Sequence, residues 1–177
     1  MSMTDLKGKH AMQVKTGERN FVIVRRTQAM LLATPFLRWG WLMNFHSPGT
    51  HPVHLVVGFR GSNPQGGSRG SSPFTWLGSQ LPPHDRALSV TWEDSALQRE
   101  KLLFPHNQQN VVPQHVVRGG RENVGRWFSE FLDLSELYTR AWPKDDFGQV
   151  RVMLIGMAVA KSRKPTSALV ANVALTR

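Results

Sequence analysis

Three histidines, His46, His51 and His54, fall within ten residues in the segment FHSPGTHPVH. A metal needs imidazoles that converge on one point. Residues three apart on an extended chain face opposite sides, and no acidic residue lies between Glu18 and Asp85 to complete a ligand set or orient a ring. This spacing predicts structural histidines and no metal centre. The acids Asp85, Glu93 and Asp94 follow His84, and Asp145 and Asp146 lie together further on. Paired carboxylates are the requirement for glycoside hydrolysis, but nothing in the sequence fixes a distance between these. Ser47, Ser62 and Ser129 lack the flanking glycines of a nucleophile elbow. The glycine-rich stretch lacks the Lys-Ser/Thr ending of a phosphate-binding loop. The chain has no cysteine, which removes thiol nucleophiles, disulfides and thiolate zinc sites. No catalytic residue, metal or cofactor is therefore assigned from the sequence.

The charge is more informative. Twenty-two Lys and Arg against twelve Asp and Glu give a formal net charge of +10, placed at Arg25-Arg26, at Arg118, Arg121 and Arg126, and at Lys161, Arg163 and Lys164. A field of that sign favours encounter with polyanions. A nucleic-acid partner is open on charge alone, but no recognition helix or aromatic RNA-reading strand accompanies it. Of the six tryptophans, Trp39, Trp92 and Trp127 sit in apolar alternation and read as core. Trp76, with Phe74 two residues before it, follows a Gly/Ser/Pro-rich segment and is a candidate for an exposed contact.

These residues must be positioned by strands. Leu37, Trp39, Trp41 and Met43 alternate with Phe36, Arg38, Gly40 and Leu42, and Val53, Leu55, Val57 and Phe59 alternate with His54, Val56 and Gly58, the period of half-buried strands. Further strands are expected from Phe21, from Ala87 to Trp92, from His115 to Arg118, over Gly125 to Leu132, where Trp127, Phe131 and Leu134 also fit helical spacing, from Val150 to Ala160 and from Ala168 to Leu175. Asp133 and Glu136 have capping-box spacing, and Leu134, Leu137, Tyr138 and Trp142 share one helical face, which predicts one short helix near 134–142. Residues 61–73 contain no aliphatic side chain and read as a flexible loop. Leu97 to Pro113 reads as an irregular surface connection. The expectation is a single all-β domain over 1–177, a jelly-roll-like β-sandwich, with a small closed barrel as the alternative. No apolar run approaches the ~20 residues of a membrane-spanning helix.

Five stretches in order carry a resemblance: Pro35-Phe36-Leu37-Arg38-Trp39-Gly40-Trp41, Pro52 to Phe59, Ala87 to Trp92, Val116 to Gly120 with Gly125-Arg126-Trp127, and Ile155 to Val159. Over about four fifths of its length the chain resembles the domain of unknown function 3047 family of bacterial proteins. The resemblance implies a sandwich domain, commonly exported, with no established activity. It also implies two acidic loop positions that this chain lacks: an Asp pair before Thr50-His51-Pro52, and an Asp-x-Asp-Asn-Thr run where Ser162-Arg163-Lys164-Pro165-Thr166 stands. A lysine in place of a carboxylate opposes a hard cation. No export signal is visible at the N-terminus, so the expected compartment is the cytoplasm, or the periplasm if the chain is a piece of a longer exported protein.

The functional expectation is a non-catalytic binding or assembly module, an accessory subunit or adaptor, that meets another protein or an anionic polymer through a basic surface. Phe74, Trp76, Arg118, Arg121, Arg126, Lys161, Arg163 and Lys164 are its candidate binding residues. A carbohydrate-binding module or glycan-active enzyme, with Phe74 and Trp76 stacking on sugar and Asp85 or Glu93 as acid, is the first alternative. A nucleic-acid binder is the second.

Overall fold

The alternating apolar segments of the chain form strands, and their apolar faces meet. In a computed structural model, which describes residues 2–6, 8–61, 81–104 and 112–177, the strands are β1 (Ser2–Leu6), β2 (Lys9–Lys15), β3 (Phe21–Met30), β4 (Phe36–Met43), β5 (Val53–Arg60), β6 (Arg86–Glu93), β7 (Leu102–Leu103), β8 (Gln114–Gly119), β9 (Trp127–Asp133), β10 (Arg151–Val159) and β11 (Ser167–Thr176). One helix, α1 (Leu134–Ala141), follows β9. Sheet A has the order β1-β2-β11-β4-β9, and sheet B the order β3-β10-β5-β6-β8-β7. The last strand, β11, lies between β2 and β4, and the chain crosses between the sheets from β2 to β3, β3 to β4, β4 to β5, β8 to β9, β9 to β10 and β10 to β11, while β5 to β8 stay in sheet B. This is the winding of a jelly roll, with β8 added parallel to β6 at one side.

The inner faces are those the alternation marks. Trp39, Trp41 and Met43 of β4 pack against Val53, Leu55, Val57 and Phe59 of β5 and Trp92 of β6 in one core. Trp41 meets Trp39 edge-on at 5.4 Å and Trp92 across the sandwich at 6.0 Å, within the range for favourable aromatic pairs. The helix starts where its cap requires: the Asp133 carboxylate accepts from the backbone N–H of Ser135 at 2.9 Å and of Glu136 at 3.0 Å, two donors that the helix itself leaves unpaired.

Three features differ from the sequence expectation. Trp127 is not core. Paired with Leu42 on β4, it lies on the outer face of sheet A, and its indole covers Gly40 so closely that a Cβ there would come within 2.5 Å of Trp127 Cζ2. The alternation was correct, but the face was not, because β9 is an edge strand with both faces mixed. The N-terminal segment, read only for its lysines, forms the β1–β2 hairpin, closed by a turn in which Asp5 accepts from Gly8 N–H at 2.8 Å. Within the segment expected to be irregular, Leu102 and Leu103 pair with β8. The Gly/Ser/Pro-rich loop lies, from residue 62 on, outside the described residues.

Candidate functional site

The strand ends decide which loops share a face of the molecule. Loops 16–20, 44–52, 94–101, 120–126 and 160–166 all leave the same end of the sandwich. Backbone bonds lock four of them together: Ser162 N–H donates to Gly17 O at 3.1 Å, Ala160 N–H to Pro52 O at 2.8 Å, and Asp94 N–H to Gly49 O at 3.2 Å. Side chains add to this, with Lys161 N–H on Asn20 Oδ1 at 2.7 Å and the Thr166 hydroxyl on Phe45 O at 2.7 Å. Gly125 N–H donates to Met43 O at 2.8 Å and brings Arg126 to this end too.

Five of the basic residues singled out in the sequence therefore share one end. Lys161, Arg163 and Lys164 are exposed on loop 160–166, next to Arg19 and Lys15, and Lys15, Arg19, Lys161, Arg163 and Lys164 form no ion pair among the described residues. Arg126 is exposed. Arg121 reaches Asp94 at 3.5 Å while remaining half-exposed. Arg118 is different: its guanidinium grips Glu130 with both arms, at 2.6 and 3.1 Å, and lies 4.0 Å over the Phe128 ring. Glu130 also accepts from the Trp41 indole at 3.1 Å. Arg118 belongs to β8 and Glu130 to β9, so this pair ties sheet B to sheet A. Phe74 and Trp76 lie outside the described residues.

The histidines do not converge. His51 is fully buried; its Nδ1 accepts from Val53 N–H at 3.1 Å, and its ring meets that of His46 edge-on at 4.7 Å. His46 Nδ1 is 2.7 Å from Ser47 O. His54 turns to the outer face of sheet B, 3.2 Å from the Ser89 hydroxyl. Burial, reinforced by the neighbouring imidazoles, holds His51 down to about 3, and burial holds His54 at about 4, so both stay neutral. Among the described residues no three His, Asp or Glu side chains stand close enough together to hold a metal ion.

The candidate acids are each engaged. Glu93, buried at the end of β6, accepts a hydrogen bond from the Thr50 hydroxyl, and burial raises its pKa despite that bond. Asp85 accepts from Gly61 N–H at 3.0 Å. Asp145 takes both arms of Arg86, at 2.9 and 3.1 Å, and the Tyr138 hydroxyl at 3.1 Å. Glu130 and Asp145 thus work as structural anchors, which pair patterns in the sequence did not reveal because their partners come from other strands.

No known protein family, curated protein or solved structure matches this chain.

Proposed function

We propose that this chain is a non-catalytic binding module that engages a polyanionic partner through the basic end of the sandwich. The observation that carries the reading is the convergence of Lys15 at the end of β2, Arg19 on loop 16–20, and Lys161, Arg163 and Lys164 on loop 160–166, five cations against the single carboxylate of Glu18, on segments bonded to each other. Long cationic side chains on rigidly tied loops form a local positive field, which raises the association rate of an anion and gives salt-sensitive affinity. The non-catalytic part of the reading is supported by the engagement of the buried acids. Glu93, Glu130 and Asp145 each serve a hydroxyl or guanidinium of the fold, and the Ser89–His54 pair has no carboxylate partner described with it. An acidic loop at 162–166, as the resembled family carries it, would give this end the opposite sign, so the proposal belongs to this chain and not to that family.

The test is binding of a sulfated polysaccharide across a series of salt concentrations, with the wild type and a Lys161→Glu/Arg163→Glu/Lys164→Glu variant. The wild type should lose affinity steeply as salt rises, and the variant should show a log–log slope smaller by about three, one for each phosphate- or sulfate-type contact removed. Equal slopes for the two proteins would refute the assignment.

A further inference from the structure

On one side of the sandwich the two sheets are tied together by the Arg118–Glu130 pair. The other side is open. There, β3 is the last strand of sheet B and pairs with β10 alone, so the N–H and C=O groups of every second residue point away from the sheet with no strand to meet them. In sheet A, β2 stops pairing with β11 at Val170, while β11 runs on to Thr176 through a bulge at Asn172, where φ is 55°. A cleft of 560 Å³ opens between the sheets at this point. Its walls include Ile23 and Thr27 of β3, Ile155 and Met157 of β10, Met12 of β2 and Leu175 of β11, with Arg25 and Arg26 at the rim. Apolar lining with a few placed polar groups, in this size range, is the usual composition of a binding site.

We propose that the free edge of β3 takes up an extended acidic segment of a partner protein as an added strand, whose aliphatic side chains fill the cleft and whose carboxylates meet Arg25 and Arg26. This site is separate from the basic end. The register determines the chemistry. Arg25 stands opposite Ile155 and Ile23 opposite Met157, and Ile155 and Met157 face the core, so Arg25 belongs to the inner row of β3. Arg26 stands opposite Leu154, which packs on the outer face. The two guanidiniums therefore flank an added strand on both of its faces. Both are exposed, and neither forms an ion pair among the described residues.

Charges at a free edge normally deter pairing, and here they also select. An apolar strand beside β3 would strip water from two guanidiniums without replacing it, whereas two adjacent acids would supply charge-assisted, bidentate partners. A second copy of this chain is disfavoured by the same residues. Two-fold antiparallel pairing of β3 with its own copy places one residue opposite itself, and near full overlap of the ten-residue strand that residue is Arg25 or Arg26, so two like guanidiniums would meet on the axis. A partner strand that carries two neighbouring acids, with aliphatic residues at the cleft-facing positions on either side, satisfies the main chain, the cleft and the charges together. Strand addition of this kind draws affinity from the main chain and specificity from alternate side chains.

The experiment is selection from a random decapeptide library on the intact protein, followed by affinity measurement on the enriched peptide. Enriched sequences should carry the acid pair between aliphatic positions. Arg25→Glu/Arg26→Glu should weaken binding by tenfold or more, about 1.4 kcal/mol at the least, and Leu175→Trp, which fills the cleft, should also weaken it. The Lys161→Glu/Arg163→Glu/Lys164→Glu variant should bind as the wild type does, which separates this site from the basic end. N-methylation of alternate peptide amides, with every side chain kept, should abolish binding. Urea midpoints confirm that each variant is folded, and a second pair, Arg25→Gln and Arg26→Gln, covers the case in which charge reversal unfolds the protein. Enriched peptides without the acid pair, indifference to N-methylation, or occupation of the cleft by dodecanoate with no peptide selected would each overturn strand addition, while the basic-end reading would stand or fall on its own salt series.

Discussion

Acid should unfold this protein, and His51 should be a principal cause. The ring is wholly inside the protein, and burial with two neighbouring imidazoles holds its pKa at about 3, against 6.5 for the free group. Between those values the unfolded chain carries the proton and the folded chain does not. The stabilisation is therefore complete above pH 6.5 and is lost as pH falls towards 3. At 1.36 kcal/mol per unit, His51 alone removes about 3 kcal/mol by pH 4.5 and about 5 kcal/mol when fully titrated. That is a large part of the ~5–15 kcal/mol expected of a whole domain. His54, His46 and His115, all shifted down by burial, act in the same direction, and Glu93, shifted up, acts against them. Comparison of the wild type with His51→Asn isolates the one residue. Asparagine keeps an acceptor for Val53 N–H and does not titrate, so the cost of its smaller volume is the same at every pH. Urea unfolding followed by tryptophan fluorescence from pH 7.5 to 4.5 should show the gap between the two proteins closing by about 3 kcal/mol as the solution is acidified. Parallel curves would refute the reasoning.

Glu130→Gln should cost about 3–5 kcal/mol in urea unfolding, because it leaves the Arg118 guanidinium, only 16% exposed, without its counter-ion; the joint change Arg118→Met/Glu130→Leu should cost less than the single one. Gly156→Ala should destabilise by about 3 kcal/mol and detach the start of β3, since the new Cβ would stand 2.1 Å from the Ile23 carbonyl oxygen and 2.8 Å from Val24 Cα. Its signature is early hydrogen exchange in β3, and a thermal midpoint equal to the wild type would contradict it. Asp133→Ala should cost about 1 kcal/mol through loss of the helix cap, measurable by the same unfolding assay.

How far these features could be read in the sequence follows from the range of the interactions that make them. The face of β4 that carries Trp39, Trp41 and Met43, the apolar row of β5, and the cap at Asp133 depend on residues two to four positions apart, and their spacing states the answer directly. The β1–β2 hairpin shows no such row: Met3 is exposed, and among its described side chains only Ala11 and Val14 are fully covered, so its strands give a weak period. Trp127 shows the limit of alternation, which names two faces without saying which one a neighbouring sheet will cover. Arg118 could be found as a cation but not as the counter-ion of Glu130, because that pairing depends on how the two sheets stack. The basic cluster of Lys161, Arg163 and Lys164 was visible as a run, yet its junction with Arg19 required the bond from Ser162 to Gly17 across the strand ends. The cleft beside β3 was invisible for the same reason, since its walls come from four strands spread from Met12 to Leu175. Arg25 and Arg26 were legible only as charge.

The most direct test of the central claim is hydrogen exchange of the intact protein with and without a saturating sulfated polysaccharide. Protection should fall on loops 16–20 and 160–166, with β7 and the α1 helix unchanged. Protection centred on other faces of the sandwich, or no protection at a concentration that binds, would show that the basic end is not where this protein meets its partner.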